Sequence, residues 1–276
     1  MASYPRGPRK QNTWTVREGD QFFQGTGKVY DTLKSIAAHL ERLGIPYAVA
    51  GGLALFHHGY RRYTEDIDIL ITGEDLKLVH DKLQGKGYLP KFEGARNLRD
   101  TGTGVSIEFI VTGEFPGDGK VKPVAFPDPS TVAEEIDGVR YLNLPKLVEL
   151  KLASGMTNPD RLRDTADVQQ LIKALNLPGD FVNKLDPFVR DAYEALWRAE
   201  NAPKRFVRRW RKEGPAPEAK TIQELAERMG SEELREMAKD GITLDVESLG
   251  GDYAYLVTAD PQVAAKYDMH EESEFL

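Results

Sequence analysis

The chain has no cysteine at any of its 276 positions. That excludes disulfides, thiolate-bound zinc and iron–sulfur clusters together. No apolar run approaches the roughly 20 residues that a membrane-spanning helix requires. The first residues, MASYPRGPRKQNTW, are basic but lack the apolar core of a secretion signal, so a cytoplasmic location and no membrane partner are expected. What is present suits a globular protein, with 40% hydrophobic and 29% charged residues. The length allows one large domain or two modest ones, each with a real core.

The net charge of −7 is unevenly spread. Residues 213–276 carry 16 acidic and 5 basic side chains, a balance of −11, which leaves 28 acidic and 32 basic, or +4, for residues 1–212. Such asymmetry hints that the first part meets something anionic. Residues 1–25 are polar, with Gly, Arg and Pro, and are expected to form a flexible N-terminal segment. Residues 26–140 read as an α/β domain. Its expected elements are a helix at 29–44 ending on Gly44, strands at 45–50, 66–71 and 105–111, a short helix at 52–59, and an amphipathic helix at 74–87. Residues 141–213 carry three helical patterns and a basic segment, KRFVRRWRK. The Gly214-Pro215-Ala216-Pro217 break, where the charge changes sign, marks the expected boundary to an acidic tail or small appended module at 214–276.

The chemistry gathers at YAVAGGLALFHHGYRRYTEDIDILI, residues 47–71. In a strand Asp66 and Asp68 project from one face, while Ile67, Ile69 and Ile71 fill the other. Two adjacent carboxylates repel and raise each other's pKa unless a cation lies between them. Hard oxygen donors of this kind suit Mg²⁺ or Mn²⁺, which also take substrate phosphates. Taken alone, an Asp-x-Asp reads first as a solvated strand edge. Gly51 and Gly52, after a buried strand and before a short helix, add a place where backbone N–H groups can approach an anion.

With these residues in place, the chain resembles the nucleotidyltransferase superfamily related to DNA polymerase β. The shared pattern is a hydrophobic residue, Gly, Gly or Ser, about a dozen residues, then Asp, hydrophobic, Asp. Arg62-Tyr63-Thr64-Glu65-Asp66-Ile67-Asp68 matches the form common in its bacterial minimal and toxin-like branches. The family's third carboxylate, on a later strand, falls at Glu108. Two departures are visible, with Gly52 where serine is more frequent and Glu108 where aspartate is usual. Leu144-Pro145-Lys146-Leu147-Val148-Glu149-Leu150-Lys151-Leu152-Ala153, followed by Arg163-Asp164-Thr165-Ala166-Asp167, resembles a signature of the AbiEii-like abortive-infection toxins.

The resemblance implies a small mixed sheet flanked by helices, an α/β (α+β) fold. It implies an enzyme moving a nucleoside monophosphate from an NTP such as ATP to an acceptor hydroxyl. Asp66, Asp68 and Glu108 are then the catalytic and metal-binding set. Gly51, Gly52, Arg62, Thr64, Lys151, Arg163 and Asp167 bind nucleotide or phosphate. Implied partners are an NTP, an RNA or tRNA acceptor in a toxin-like setting, and a cognate antitoxin or other protein. A non-catalytic binding or regulatory protein and a small-molecule, antibiotic-type transferase are the competing expectations.

Other signals carry less. Gly25-Thr26-Gly27-Lys28 lacks the earlier glycine and the Ser or Thr of a phosphate-binding P-loop. His57 and His58, adjacent on a helix, face different ways and read as packing residues. In 204–212, Phe206, Val207 and Trp210 form an apolar stripe at helical spacing, flanked by cations. That pattern predicts a packed amphipathic helix or a phosphate-backbone contact.

Overall fold

The computed structural model describes residues 13–202, 205–211, 219–245 and 253–271. The chain divides into two compact units, Met1–Glu200 and Asn201–Leu276. Among the described residues, no helix is long and apolar enough to cross a membrane.

The first unit runs α1 (Thr13–Phe23), α2 (Lys28–Leu43), β1 (Ala48–Val49), α3 (Gly51–His57), β2 (Asp66–Ile71), α4 (Gly73–Leu83), β3 (Tyr88–Pro90), β4 (Leu98–Asp100) and β5 (Ser106–Val111). It continues through α5 (Pro129–Val132), β6 (Ala133–Ile136), β7 (Val139–Leu142), α6 (Leu144–Thr157), α7 (Leu162–Leu175) and α8 (Pro187–Glu200). Seven strands form one sheet in the order β3-β4-β5-β2-β1-β7-β6. The β2–β5 and β1–β7 pairs are parallel and the others antiparallel, so the sheet is mixed, as the expected fold class requires.

Local sequence explains the framing elements. Helix α2 buries Leu33, Ile36, Ala37 and Leu40 at helical spacing and stops on Gly44, whose φ of 66° fits the left-handed cap. Ile67, Ile69 and Ile107 are fully buried in the same core cluster as these α2 residues. Helix α6 opens with an Asn143 cap on the Lys146 N–H and a proline in the first turn. Its middle is buried from Leu147 to Ser154, all round, which marks it as a central helix. The three helices expected after 141 appear as α6, α7 and α8.

Two expectations need correction. Residues 13–23, placed in a flexible N-terminal segment, form α1. Phe22 is 2% exposed, its ring 5.3 Å from Phe56 and 5.1 Å from Tyr63, both edge-on. Arg61 secures the end of the helix by donating to the Phe23 carbonyl at 2.6 Å. Burial of one aromatic pair, with no longer apolar pattern, was too little signal to predict this helix. Residues 1–12 lie outside the described residues.

The second correction concerns the basic segment. Phe206–Arg211 is strand β8 rather than a helix, and it belongs to the second unit. That unit continues with α9 (Ile222–Met229), α10 (Glu232–Lys239), β9 (Thr243–Asp245), β10 (Tyr253–Thr258), α11 (Pro261–Lys266) and β11 (His270–Glu271). Its sheet, ordered β11-β8-β10-β9, is antiparallel throughout, and Ile222, Leu225, Leu234, Met237 and Leu256 give it a core of its own. The Gly214–Pro217 break lies outside the described residues. A strand with period-2 burial and a helix stripe are hard to tell apart over so short a run, and here pairing with β10 decides.

Docking of α1 is testable through its anchor. Phe22→Ala should lower the unfolding free energy of the protein by about 3 kcal/mol, read from urea melts. An unchanged midpoint would show that the aromatic cluster does not hold the helix.

Candidate active site

Parallel pairing of β2 with β5 sets the site. The register places Asp66 beside Ser106 and Asp68 beside Glu108. Alternation along the strands then puts Asp66, Asp68, Ser106 and Glu108 on one face and the isoleucines on the other. The three expected carboxylates are thus brought together.

The glycine pair is required by close approach. Gly51 has φ of +56°, and a Cβ there would lie 1.7 Å from Asp68 Oδ2. A Cβ at Gly52 would lie 2.7 Å from the Thr64 Cβ. The start of α3 is therefore pressed onto the side chains of Asp68 and Thr64, which only glycine permits. Thr64, 7% exposed, donates its hydroxyl to Asp66 Oδ1 at 2.5 Å and fixes that carboxylate.

Asp68 is the electrostatically stressed member. Burial, followed by the charges of Asp66 and Glu108, pushes its pKa up to about 7, against the weaker pull of Lys151 and Arg62. The nearest cations are engaged elsewhere. Lys151 Nζ donates to Asp164 Oδ1 and to Asp167 Oδ2, both at 2.7 Å. Arg62 Nη1 bonds both oxygens of Asp167, at 3.0 and 2.8 Å. Ser154 donates to Asp164 Oδ2 at 2.7 Å. Burial alone would raise Asp164, but the Lys151 charge and the hydrogen bonds from Lys151 and Ser154 outweigh it and hold that carboxyl below its ordinary range. This network ties the loop before β2 to α6 and α7 and keeps the two cations off the sheet carboxylates.

A cavity of about 600 Å³ opens over the face. Asp66, Asp68, Glu108, Lys151 and Arg161 line its charged part, and Phe126, Leu147 and Leu150 contribute apolar wall. Gly51, Gly52 and Arg62 reach it as well. Thr64 and Asp167 are buried behind it. Arg163 is exposed and does not line it; Arg161, two residues earlier at the end of the 3-10 turn before α7, does. Sequence reading passed over Arg161 and Ser154, and quoted Asp164 in the motif without giving it a role in the site. The last two were findable, because Ser154 follows Lys151 by three residues and Asp164 precedes Asp167 by three, the spacing of one helix face. His57 stacks on Tyr141 at 4.3 Å, and the His58 ring bonds the Leu142 carbonyl at 2.7 Å, both as packing groups.

Among the described residues, no three or more His, Cys, Asp or Glu side chains, Asp66, Asp68 and Glu108 included, are placed so that they could hold a metal ion as they stand. No protein-family model matches the chain. No curated protein matches it significantly. Among solved structures the chain is similar to ANT(2")-Ia in complex with adenylyl-2"-tobramycin, with 13% identity, coverage of 62% of this chain and 98% of that one, and a TM-score of 0.38. It is similar to JHP933 from Helicobacter pylori, with 13% identity, 59% and 91% coverage and a TM-score of 0.33. It is also similar to an antigenic nucleotidyltransferase-like protein from Paracoccidioides brasiliensis, with 17% identity, 64% and 93% coverage and a TM-score of 0.30.

Two outcomes follow from the electrostatics. A carboxyl whose folded pKa is raised binds its proton more tightly folded than unfolded, so its contribution to stability grows as pH falls from about 7 toward 4. In chelator, Asp68→Asn should therefore stabilise the protein at pH 8, by about 2 kcal/mol once solvent screening is allowed for, and do little at pH 4. A gain that does not vary with pH would contradict this. Lys151→Met should cost about 3 kcal/mol by stranding buried carboxylates, with part recovered on adding Asp164→Asn. Strictly additive losses in urea melts would show that Lys151 and Asp164 are not coupled.

Proposed function

We propose that the chain is a metal-dependent nucleotidyltransferase, moving a nucleoside monophosphate from an NTP to an acceptor hydroxyl with release of pyrophosphate. The observation that carries this reading is the register of β2 and β5, which lines one cavity with Asp66, Asp68 and Glu108 while Lys151 and Arg62 are held aside by other carboxylates.

The donor chemistry suits a hard divalent cation. All donors are carboxylate oxygens on one face, and Asp68 is raised first by burial and then by the charges of Asp66 and Glu108, a repulsion that such a cation would relieve. Asp66, Asp68 and Glu108 would hold Mg²⁺ or Mn²⁺, which when bound polarises phosphoryl oxygens and offsets developing charge. The chain's own groups do the rest. Thr64 orients Asp66. Gly51 and Gly52 let the backbone approach Asp68 and whatever lies against it. Lys151 has three N–H donors, two of them used by Asp164 and Asp167, which leaves one to meet a phosphate oxygen in the cavity. Arg161 supplies a second positive group, in the role that the family pattern suggested for Arg163. Glu108, adjacent to Asp68 in the register, stands where it can accept the proton of the attacking hydroxyl.

The basic segment lends less to an RNA acceptor than its sequence suggests. Arg205, just before β8, pairs with Asp245; within the strand Arg208 pairs with Glu233 at 2.8 Å, and Arg209 lies 5.9 Å from the Tyr255 ring centroid. Those cations serve the second unit's own packing.

The test is label transfer. The full chain is incubated with each α-labelled NTP, Mg²⁺ and total RNA, protein or small-molecule extract. One pool should take label, and Asp66→Ala or Asp68→Ala should lower incorporation on the order of 10³-fold with folding intact. Full transfer by either variant would sink the proposal.

A further inference from the structure

A second cavity, of about 410 Å³, meets the first at Asp66, Lys91 and Glu108. The strand register shows how they are arranged. The first cavity follows the carboxylate face toward the C-terminal ends of β2 and β5, along Asp68, Leu70 and Ile110. The second lies at their N-terminal ends, against Glu65, Asp66, Val105 and Ser106. The two are therefore consecutive parts of one groove, with Asp66 and Glu108 at the junction. A group transfer between two substrates needs such a junction, since both reacting atoms must reach the same carboxylates.

The outer wall of the second cavity is α1, through Glu18, Gln21 and Phe22. The Phe22 cluster and the Arg61 bond to the Phe23 carbonyl hold that wall in place. Its lining is chemically distinct. Glu18 and Lys28 pair at 2.9 Å and cancel. Lys91 and Arg99 are exposed, and among the described residues no ion pair involves either, with Glu65 the facing acid. Ser106 Oγ, beside Asp66 in the register, is buried without a hydrogen-bond partner among the described residues. Tyr63 offers an aromatic surface.

We propose that this second cavity receives the acceptor as a ribose phosphate, with its hydroxyl at Asp66, Glu108 and Ser106 and its phosphate at Lys91 and Arg99. The assignment rests on the nucleotidyltransferase reading of the first cavity. A phosphate matches two cations. An aminosugar and a protein hydroxyl would alike leave Lys91 and Arg99 without an anion. In the transfer, the ribose oxygen forms a bond to the α-phosphorus and the bond from that phosphorus to the α–β bridging oxygen breaks. Pyrophosphate leaves with the electron pair, and the hydroxyl proton passes to Glu108.

The experiment measures acceptor binding apart from turnover. With the first cavity saturated by a non-hydrolysable NTP analogue and Mg²⁺, full-length protein is titrated with a labelled oligoribonucleotide and, separately, with a nucleoside 5′-monophosphate. Arg99→Ala should weaken acceptor binding about tenfold and leave the NTP analogue's affinity unchanged, because Arg99 lines only the second cavity. Ser106→Ala should raise the acceptor KM in the same way. Binding of the oligoribonucleotide alone identifies an RNA end as the source, and binding of both identifies a free nucleotide as sufficient. Acceptor affinity untouched by Arg99→Ala, or an aminosugar displacing the acceptor, would overturn the assignment. Failure of the first cavity's reading would show separately, as no binding of the NTP analogue.

Discussion

Three carboxylates forced onto one sheet face are the constraint on which the molecule depends. Parallel pairing of β2 and β5 leaves Asp66, Asp68 and Glu108 no other side to occupy, because the alternate positions fill the core with isoleucine. Their repulsion is not neutralised by the nearest cations. Lys151 and Arg62 are bonded instead to Asp164 and Asp167 on α7, and burial, followed by the charges of Asp66 and Glu108, raises the Asp68 pKa to about 7 against their weaker pull. Had Lys151 paired with Asp68, the site would be closed and electrostatically quiet. The α7 acids keep it open, with stored repulsion that a cation can relieve. The two glycines follow from the same constraint, since the Asp68 carboxylate fills the space a Cβ at Gly51 would need.

Period-2 alternation and glycine placement made the centre of the first unit legible in the sequence. The run from Tyr47 to Ile71 carries its strand, turn and strand in residue types that admit few alternatives, and Glu108 sits in a cleanly alternating strand. The helices α6 and α7 were legible for the same reason, through unbroken 3.6-residue periodicity. What stayed hidden depends on tertiary partners. Helix α1 is held by rings 30 or more residues away, Phe56 and Tyr63, and nothing local announces it. Arg161 ends the short 3-10 turn before α7 and lines the cavity, while Arg163, in the first turn of α7, does not, and nothing in the residue types tells the two apart. Asp167, expected among the nucleotide-binding residues, is 2% exposed, and Arg62 and Lys151 together make that burial tolerable.

The second unit shows the same limit from the other side. Its acidic surplus left a tail or a small appended module as the two expectations, while β8 looked like a separate basic helix. Pairing of Arg205 with Asp245 and of Arg208 with Glu233 shows the two charge blocks to be complementary parts of one fold. Net charge by segment therefore overstated both the basicity of the first part and the openness of the last. Composition reports surplus charge, not where it is spent within a fold.

Binding of a cation visible by its anomalous scattering tests the central claim most directly. Crystals of the protein soaked with Mn²⁺ and a non-hydrolysable NTP should show anomalous scattering between Asp66, Asp68 and Glu108, with the triphosphate reaching Lys151. Manganese absent from that face, or a triphosphate bound elsewhere on the molecule, would contradict the account.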